Sequence, residues 1–225
     1  MKNHILVAGL LILLGTQSFA AAGRPAWSLF SETAYNLKPG SWETSVIGWA
    51  NYGLSDRFQM GTNGILDIVQ IPNIYGKLVV VQESDKTPQV AISSSVYYPM
   101  AVSTPISTDF AVNIARAVSD GNFILHAGIK ETINLNDTTV ATTNPINTPG
   151  LGFKAGIITN QSDSSHFYAE AYSNWIPIGR SSEIAVGGDF VTGNMTIALG
   201  GLFYSSESAD RRASFLPFVN AKWDF

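Results

Sequence analysis

Apolar and polar residues alternate with a period of two, in segments of about ten residues, along nearly the whole chain after its first 25 positions. "FILHAGIKETI" sets Phe123, Leu125, Ala127 and Ile129 on one face and His126, Gly128, Lys130 and Thr132 on the other. "HFYAEAYSNW" opposes Phe167, Ala169, Ala171 and Trp175 to His166, Tyr168, Glu170, Tyr172 and Asn174. "RFQMGTNGILDI" opposes Phe58, Met60, Leu66 and Ile68 to Arg57, Gln59, Asn63 and Asp67. Successive side chains of a strand point to opposite faces, so this period builds strands with one apolar and one polar side. No segment after the N-terminus carries a helical period, and the fold class is all-β.

Twelve candidate strands cover residues 26–37, 41–54, 57–69, 73–83, 88–98, 107–118, 122–134, 149–160, 165–177, 182–192, 194–205 and 212–225. Turn-forming runs such as "KPGS", "LSDR", "SDG" and "TGN" separate them. The strands are near the ~9–11 residues with which a tilted strand crosses a bilayer. Alternation alone fits a soluble sheet with one wet face or a membrane barrel with its apolar side outward. Two features favour the barrel. Glycines crowd the polar face (Gly61, Gly128, Gly152, Gly156, Gly187 and Gly200), which makes a poor core but a good lumen. Aromatics sit near strand ends (Trp27, Tyr35, Trp42, Tyr52, Phe58, Tyr98, Phe110, Trp175, Phe203 and Trp223), where interfacial girdles place them.

Composition narrows the function. Charged residues make up 13% of the chain, about half the usual share in a soluble domain. A net charge of −4 is too slight to imply a nucleic-acid partner, no basic run supports one, and none is expected. The absence of cysteine excludes disulfides, a thiol nucleophile, a thiolate metal site and a lipidated cysteine. The N-terminus has Lys2, an apolar run from Ile5 to Leu14 and small residues at Ser18 and Ala20. That is the layout of a secretory signal peptide over residues 1–20; the apolar run is too short for a spanning helix, which needs ~20 residues. Residues 21–225 are then one exported β-barrel domain.

With the last strand ending at the periplasmic rim, the connections alternate between rims, and the longest, including "NLNDTTVATTNPINTPG", fall together on the outer side. The same count requires a strand before 41–54, and 26–37 supplies it. The expectation is a transmembrane antiparallel up-and-down barrel of twelve strands. A ten-strand barrel is the alternative, if the first segment is a plug or tail and one later strand is miscounted.

The signal peptide, the amphipathic strands and the terminal alternation Val219, Ala221, Trp223, Phe225 together resemble bacterial outer-membrane β-barrel proteins. The resemblance implies that this last strand is the assembly signal read by the barrel-insertion machinery, in a setting of outer-membrane lipid. "YNLKPGSWETSVIGWANYGLSDRFQMG" is similar, more loosely, to opening strands of exported barrels in which a "YGL(S/T)D" turn joins two strands.

Alternation directs charges of both signs inward: Arg57, Lys77, Lys130, Lys154 and Lys222, with Glu43, Asp67, Glu170, Glu183, Asp189 and Asp224. Such residues either pair across a filled interior or line a wet path and bias passage by charge. Arg116 falls on the apolar face unless a bulge intervenes; near the rim it could snorkel. Outer-membrane hydrolases use His with Ser or Asp, and His126 and His166 are the mature chain's histidines, both inward. No metal-ligand spacing occurs, and no cofactor is expected. The expected function is a narrow passive pore for small solutes. A structural or surface-interaction barrel with a plugged lumen is the second expectation, and a lipid-modifying hydrolase a weaker third.

Overall fold

The computed structural model describes residues 31–45, 49–68, 70–100, 106–119, 122–135, 150–162, 165–173, 181–206 and 213–224. The expected signal peptide, Trp27, Trp175, Phe225 and most of the 135–149 connection lie outside them.

Twelve strands form one closed sheet: Trp42–Ser45 (β1), Trp49–Ser55 (β2), Phe58–Asn63 (β3), Asn73–Val81 (β4), Gln89–Tyr97 (β5), Ser107–Val118 (β6), Phe123–Asn134 (β7), Gly150–Ser162 (β8), Ser165–Ser173 (β9), Ser181–Thr192 (β10), Met195–Ser206 (β11) and Ala213–Asp224 (β12). Each pairs antiparallel with its sequence neighbours and β12 returns to β1, so the fold is an up-and-down barrel. A five-residue helix, Gly64–Ile68 (α1), lies between β3 and β4. Pairing is extensive on one side of the barrel, as between β10 and β11, which match from Ser181↔Ser206 to Thr192↔Met195. At the closing seam β1 pairs only Glu43, Thr44 and Ser45 with Asp224, Trp223 and Lys222. One rim carries the tight turns, such as Asp56–Arg57 and Gly193–Asn194, together with the end of β12. The other carries α1 and the longer connections.

The strand total is twelve, but the first strands are composed differently from expectation. Residues 31–37, expected as part of a wall strand, lie inside the barrel. Ser31, Glu32, Thr33, Ala34 and Tyr35 are all buried, none exposed by more than 6%. A wall strand would expose every second residue. This stretch has no apolar face to offer, with Ser31, Thr33 and Tyr35 on one parity and Glu32, Ala34 and Asn36 on the other. The expected strand 41–54 is two strands, β1 and β2, which pair Trp42 with Tyr52 and stack those rings at 4.5 Å. The strand expected at 57–69 stops at Asn63, where α1 begins.

The segment enters the wall through a tight corner. Gly40 has φ of +80°, a backbone state that suits glycine. Its N–H donates to the Gly53 carbonyl at 2.7 Å, and the Gly53 N–H donates to Ser41 at 3.0 Å. A Cβ on Gly53 would stand 2.1 Å from the Lys38 carbonyl oxygen, so only glycine lets the chain pass so closely.

Burial is inverted relative to an ordinary globular domain. The outer wall shows Phe110, Leu125, Phe190, Leu199, Phe215 and Val219, with Leu125 48% and Val219 65% exposed. The interior holds Lys77, Lys154, Glu170, Glu183, Asp189, Gln59, Asn51 and Asn113. On the wall, exposed aromatics stand near both rims: Phe58, Phe123 and Phe190 at the turn rim, Tyr98, Phe110, Phe203 and Phe215 toward the other. Tyr35, expected among the rim aromatics, is inside. Arg116 stays on the outer parity of an unshifted ladder, and its Nη2 donates to the Asp85 carbonyl at 2.9 Å on the turn rim.

Candidate functional site

The segment Ser31–Leu37 lies inside the barrel, and three of the wall side chains expected inward, Lys77, Lys154 and Glu170, hold it. Two layers surround it. Ala34 and Tyr35 pack with Val79, Ala91, Ala115, Ile124, Ile158, Tyr168 and Ala198, an apolar cluster in the interior; Ala111, Tyr172, Ala185 and Leu202 form another. Tyr35 also reaches the turn rim, where its hydroxyl donates to Glu83 at 2.9 Å.

The second layer is polar and centres on Glu32. Its carboxylate accepts from the Tyr75 hydroxyl of β4, the Ser93 hydroxyl of β5 and, at 2.9 Å, the Asn113 amide of β6. Asn113 Nδ2 also donates to Ser93 Oγ at 3.4 Å, which leaves the serine hydrogen for the carboxylate. The backbone is gripped as firmly. Lys154 donates to the Glu32 carbonyl, and Lys77 to the carbonyls of Thr33 (3.2 Å) and Tyr35. Gln89 donates to the Ala34 carbonyl at 3.0 Å, and Gln59 accepts the Leu37 N–H at 2.9 Å. Inside a barrel an unpaired carbonyl costs about 1–3 kcal/mol. These long polar side chains therefore do for the segment what a neighbouring strand would do in a sheet.

The far wall carries a third set. Glu170 accepts from Ser31 at 3.3 Å and from Tyr172, and its Oε1 lies 3.1 Å from His126 Nε2. Gly156 makes the room, since a Cβ there would stand 2.5 Å from His126 Nε2 and 2.9 Å from Glu170 Cγ. Nearer the turn rim, Asp189 accepts from Tyr168 and lies 2.7 Å from His166 Nδ1. Among the described residues, each histidine faces a carboxylate, Glu170 for His126 and Asp189 for His166. Ser31 donates its hydrogen to the same Glu170 oxygen that faces His126, so the carboxylate occupies the place a general base would need.

Of the charges expected inward, Lys77, Lys154, Glu43, Glu170, Glu183 and Asp189 are buried in the interior. Lys130 and Lys222 are half-buried there, 3.7 Å from Asp109 and from Glu43 respectively. Arg57 and Asp67 are not inward, and both expectations are corrected. Arg57 occupies the two-residue β2–β3 turn, exposed, because its strand begins one residue later. Asp67 lies exposed in α1, where it accepts from Thr62 (3.0 Å) and from the Asn73 N–H (3.2 Å), closing the β3–β4 connection. Asp224 pairs by backbone with Glu43, and nothing is described of its side chain. In the expected assembly signal, Val219, Ala221 and Trp223 share the outer parity of β12. The residues missed from sequence are Glu32 itself, on the interior segment, and the neutral wall residues around that segment: Tyr75, Ser93, Asn113, Gln59 and Gln89 share inward parity with the charges but carry none.

Several buried polar atoms have no protein partner among the described residues, including both side-chain atoms of Asn36 and Asn51 and Oδ1 of Asn220. In a dry core each would be costly, whereas an interior that admits water satisfies them. No protein-family model matches the chain, and no curated protein matches it.

Proposed function

We propose that the chain is an outer-membrane β-barrel of a bacterium, with its apolar wall in lipid and a narrow solute path closed at rest by its own segment Ser31–Leu37. The wall supports the membrane reading. Exposed Leu, Ile, Val and Phe recur on strand after strand, and a surface of that extent drives association in water. Lipid is the solvent that suits it, and aromatics near both rims suit the two interfaces. Export by the N-terminal signal and insertion by the barrel-assembly machinery go with this reading.

The observation that carries the solute path is how the segment is held. Around Glu32 the grip is polar; each of these hydrogen bonds involves a charged group and contributes a net ~1.5–3 kcal/mol. Water or a solute with the same groups can replace it, and the wall strands close on one another. The segment can thus leave while the twelve-strand ladder stays intact. A barrel with a permanent plug, serving as scaffold or surface contact, is favoured by the apolar layer around Ala34 and Tyr35. Planar-bilayer recording separates the two. The full chain should be mostly closed, and a chain with Ser31–Leu37 replaced by glycine and serine at equal length should give stepwise conductance. Brief openings of the full chain support the path; a full chain that never opens while the replaced chain conducts supports the permanent plug, and silence in both contradicts the path.

A further inference from the structure

We infer that the wall pocket formed by Tyr75, Lys77, Ser93, Asn113 and Lys154 is a carboxylate-binding site, that Glu32 is its resident occupant, and that the solutes able to open the path are small carboxylates. The inference rests on the proposed solute path and names the class of molecule that uses it.

The pocket is built, buried and one-sided in its chemistry. All five side chains are buried, with Lys77 and Asn113 wholly so. They come from four strands, β4, β5, β6 and β8, so the ladder holds them in place whether or not the segment is present. Toward the Glu32 carboxylate they present three donors, two hydroxyls and one amide N–H, while the two ammonium groups donate to the backbone carbonyls of Glu32, Thr33 and Tyr35 beside it. Both carboxylate oxygens are used, Oε2 by Tyr75 and Oε1 by Ser93 and Asn113. Such an array recognises a planar anion with two acceptor oxygens. Lys154 and Lys77 act on the carboxylate by charge as well as on the adjacent carbonyls.

The same array explains why the occupant can be exchanged. Glu32 belongs to the segment and not to the wall, so a free carboxylate offers the pocket an equivalent anion. Each lysine also feels a wall carboxylate, Glu43 for Lys77 and Glu170 for Lys154. An emptied pocket therefore keeps partial charge balance, and its affinity for a free anion is modest. Modest affinity suits a passive path, which must release what it binds.

The test is chemical rescue in the full chain. Glu32→Ala removes the CH2–COO− unit that acetate supplies. Its unfolding in detergent is followed in sodium acetate and, at matched ionic strength, in sodium chloride. Acetate at ten times its dissociation constant should raise the folded-to-unfolded ratio about elevenfold, and chloride should have no comparable effect. Glu32→Gln, which keeps the pocket filled, should not respond to acetate. An equal response to both salts, a Glu32→Gln response as large as that of Glu32→Ala, or a Glu32→Ala chain that folds in neither salt would overturn the proposal. Rescue without bilayer conductance would leave the pocket standing and remove the path. Conductance without rescue would leave the path and remove carboxylates as its solutes.

Discussion

The outer wall and the interior of this barrel are made by the same strands, residue by alternate residue, yet they are stabilised by opposite means. On β7 the outward residues are Phe123, Leu125, Ala127 and Ile129, and the inward ones are Ile124, His126, Gly128 and Lys130. Between the rims the wall needs chiefly to be apolar, and specific pairings such as Arg116 with the Asp85 carbonyl lie at its edges. The interior is specific. Lys154 meets the Glu32 carbonyl across 122 positions of sequence, and Lys77 meets Thr33 across 44. A period of two is enough to specify the wall, whereas the interior depends on contacts that no local period encodes.

Breaking the wall should have the largest effect. Val112, 40% exposed near the middle of β6, faces outward. Val112→Arg should cost about 2–4 kcal/mol if that face meets the bilayer centre. A wall in water would register within about 0.5 kcal/mol. Denaturant midpoints of the protein folded into phospholipid vesicles distinguish the two.

A crowded interior should come next. Gly156→Ala places a Cβ against His126 and Glu170, and overpacking of this kind costs about 1–3 kcal/mol. Adding His126→Ala to that variant should recover part of the loss, because the imidazole is the nearest obstacle. A Gly156→Ala chain as stable as the parent would mean that the far wall is looser than the distances indicate.

The smallest effect is expected where the interior meets solvent. Lys130 and Asp109 lie 3.7 Å apart with side chains 12% and 15% exposed. Asp109 also accepts from Thr132 at 2.7 Å and Tyr97 at 3.1 Å, so it keeps partners when the lysine is lost. Lys130→Ala should cost less than about 1 kcal/mol. A larger loss would extend the tightly bound interior up to this level.

These contrasts explain what the sequence disclosed. Strand class and the inward direction of Lys77, Lys154, Glu170 and Asp189 follow from alternation, which sterics enforces residue by residue. The expected total of twelve counts 26–37 as a strand and 41–54 as one, where the barrel has an interior segment and two strands. The first segment misled because a strand was needed to carry the chain to the far rim, and a run of eleven or twelve residues was at hand. Its lack of any apolar face between Ser31 and Asn36 was the signal that it belonged inside. Arg57 and Asp67 were misassigned because parity was carried past the ends of a strand, into a turn and into α1. Glu32 carried no sign of its role at all, since its three partners are a tyrosine, a serine and an asparagine from three separate strands.

The central claim is that the apolar wall faces lipid and the polar interior does not. The chain has no cysteine, so single cysteines can be introduced cleanly at Leu125, Ala127 and Ile129 and spin-labelled in phospholipid vesicles. Oxygen, which partitions into lipid, should relax these labels strongly, while a water-soluble nickel chelate should barely reach them. A label at Asp85, exposed on the turn rim, should show the reverse. Nickel accessibility at the three wall sites equal to that at Asp85 would contradict the account.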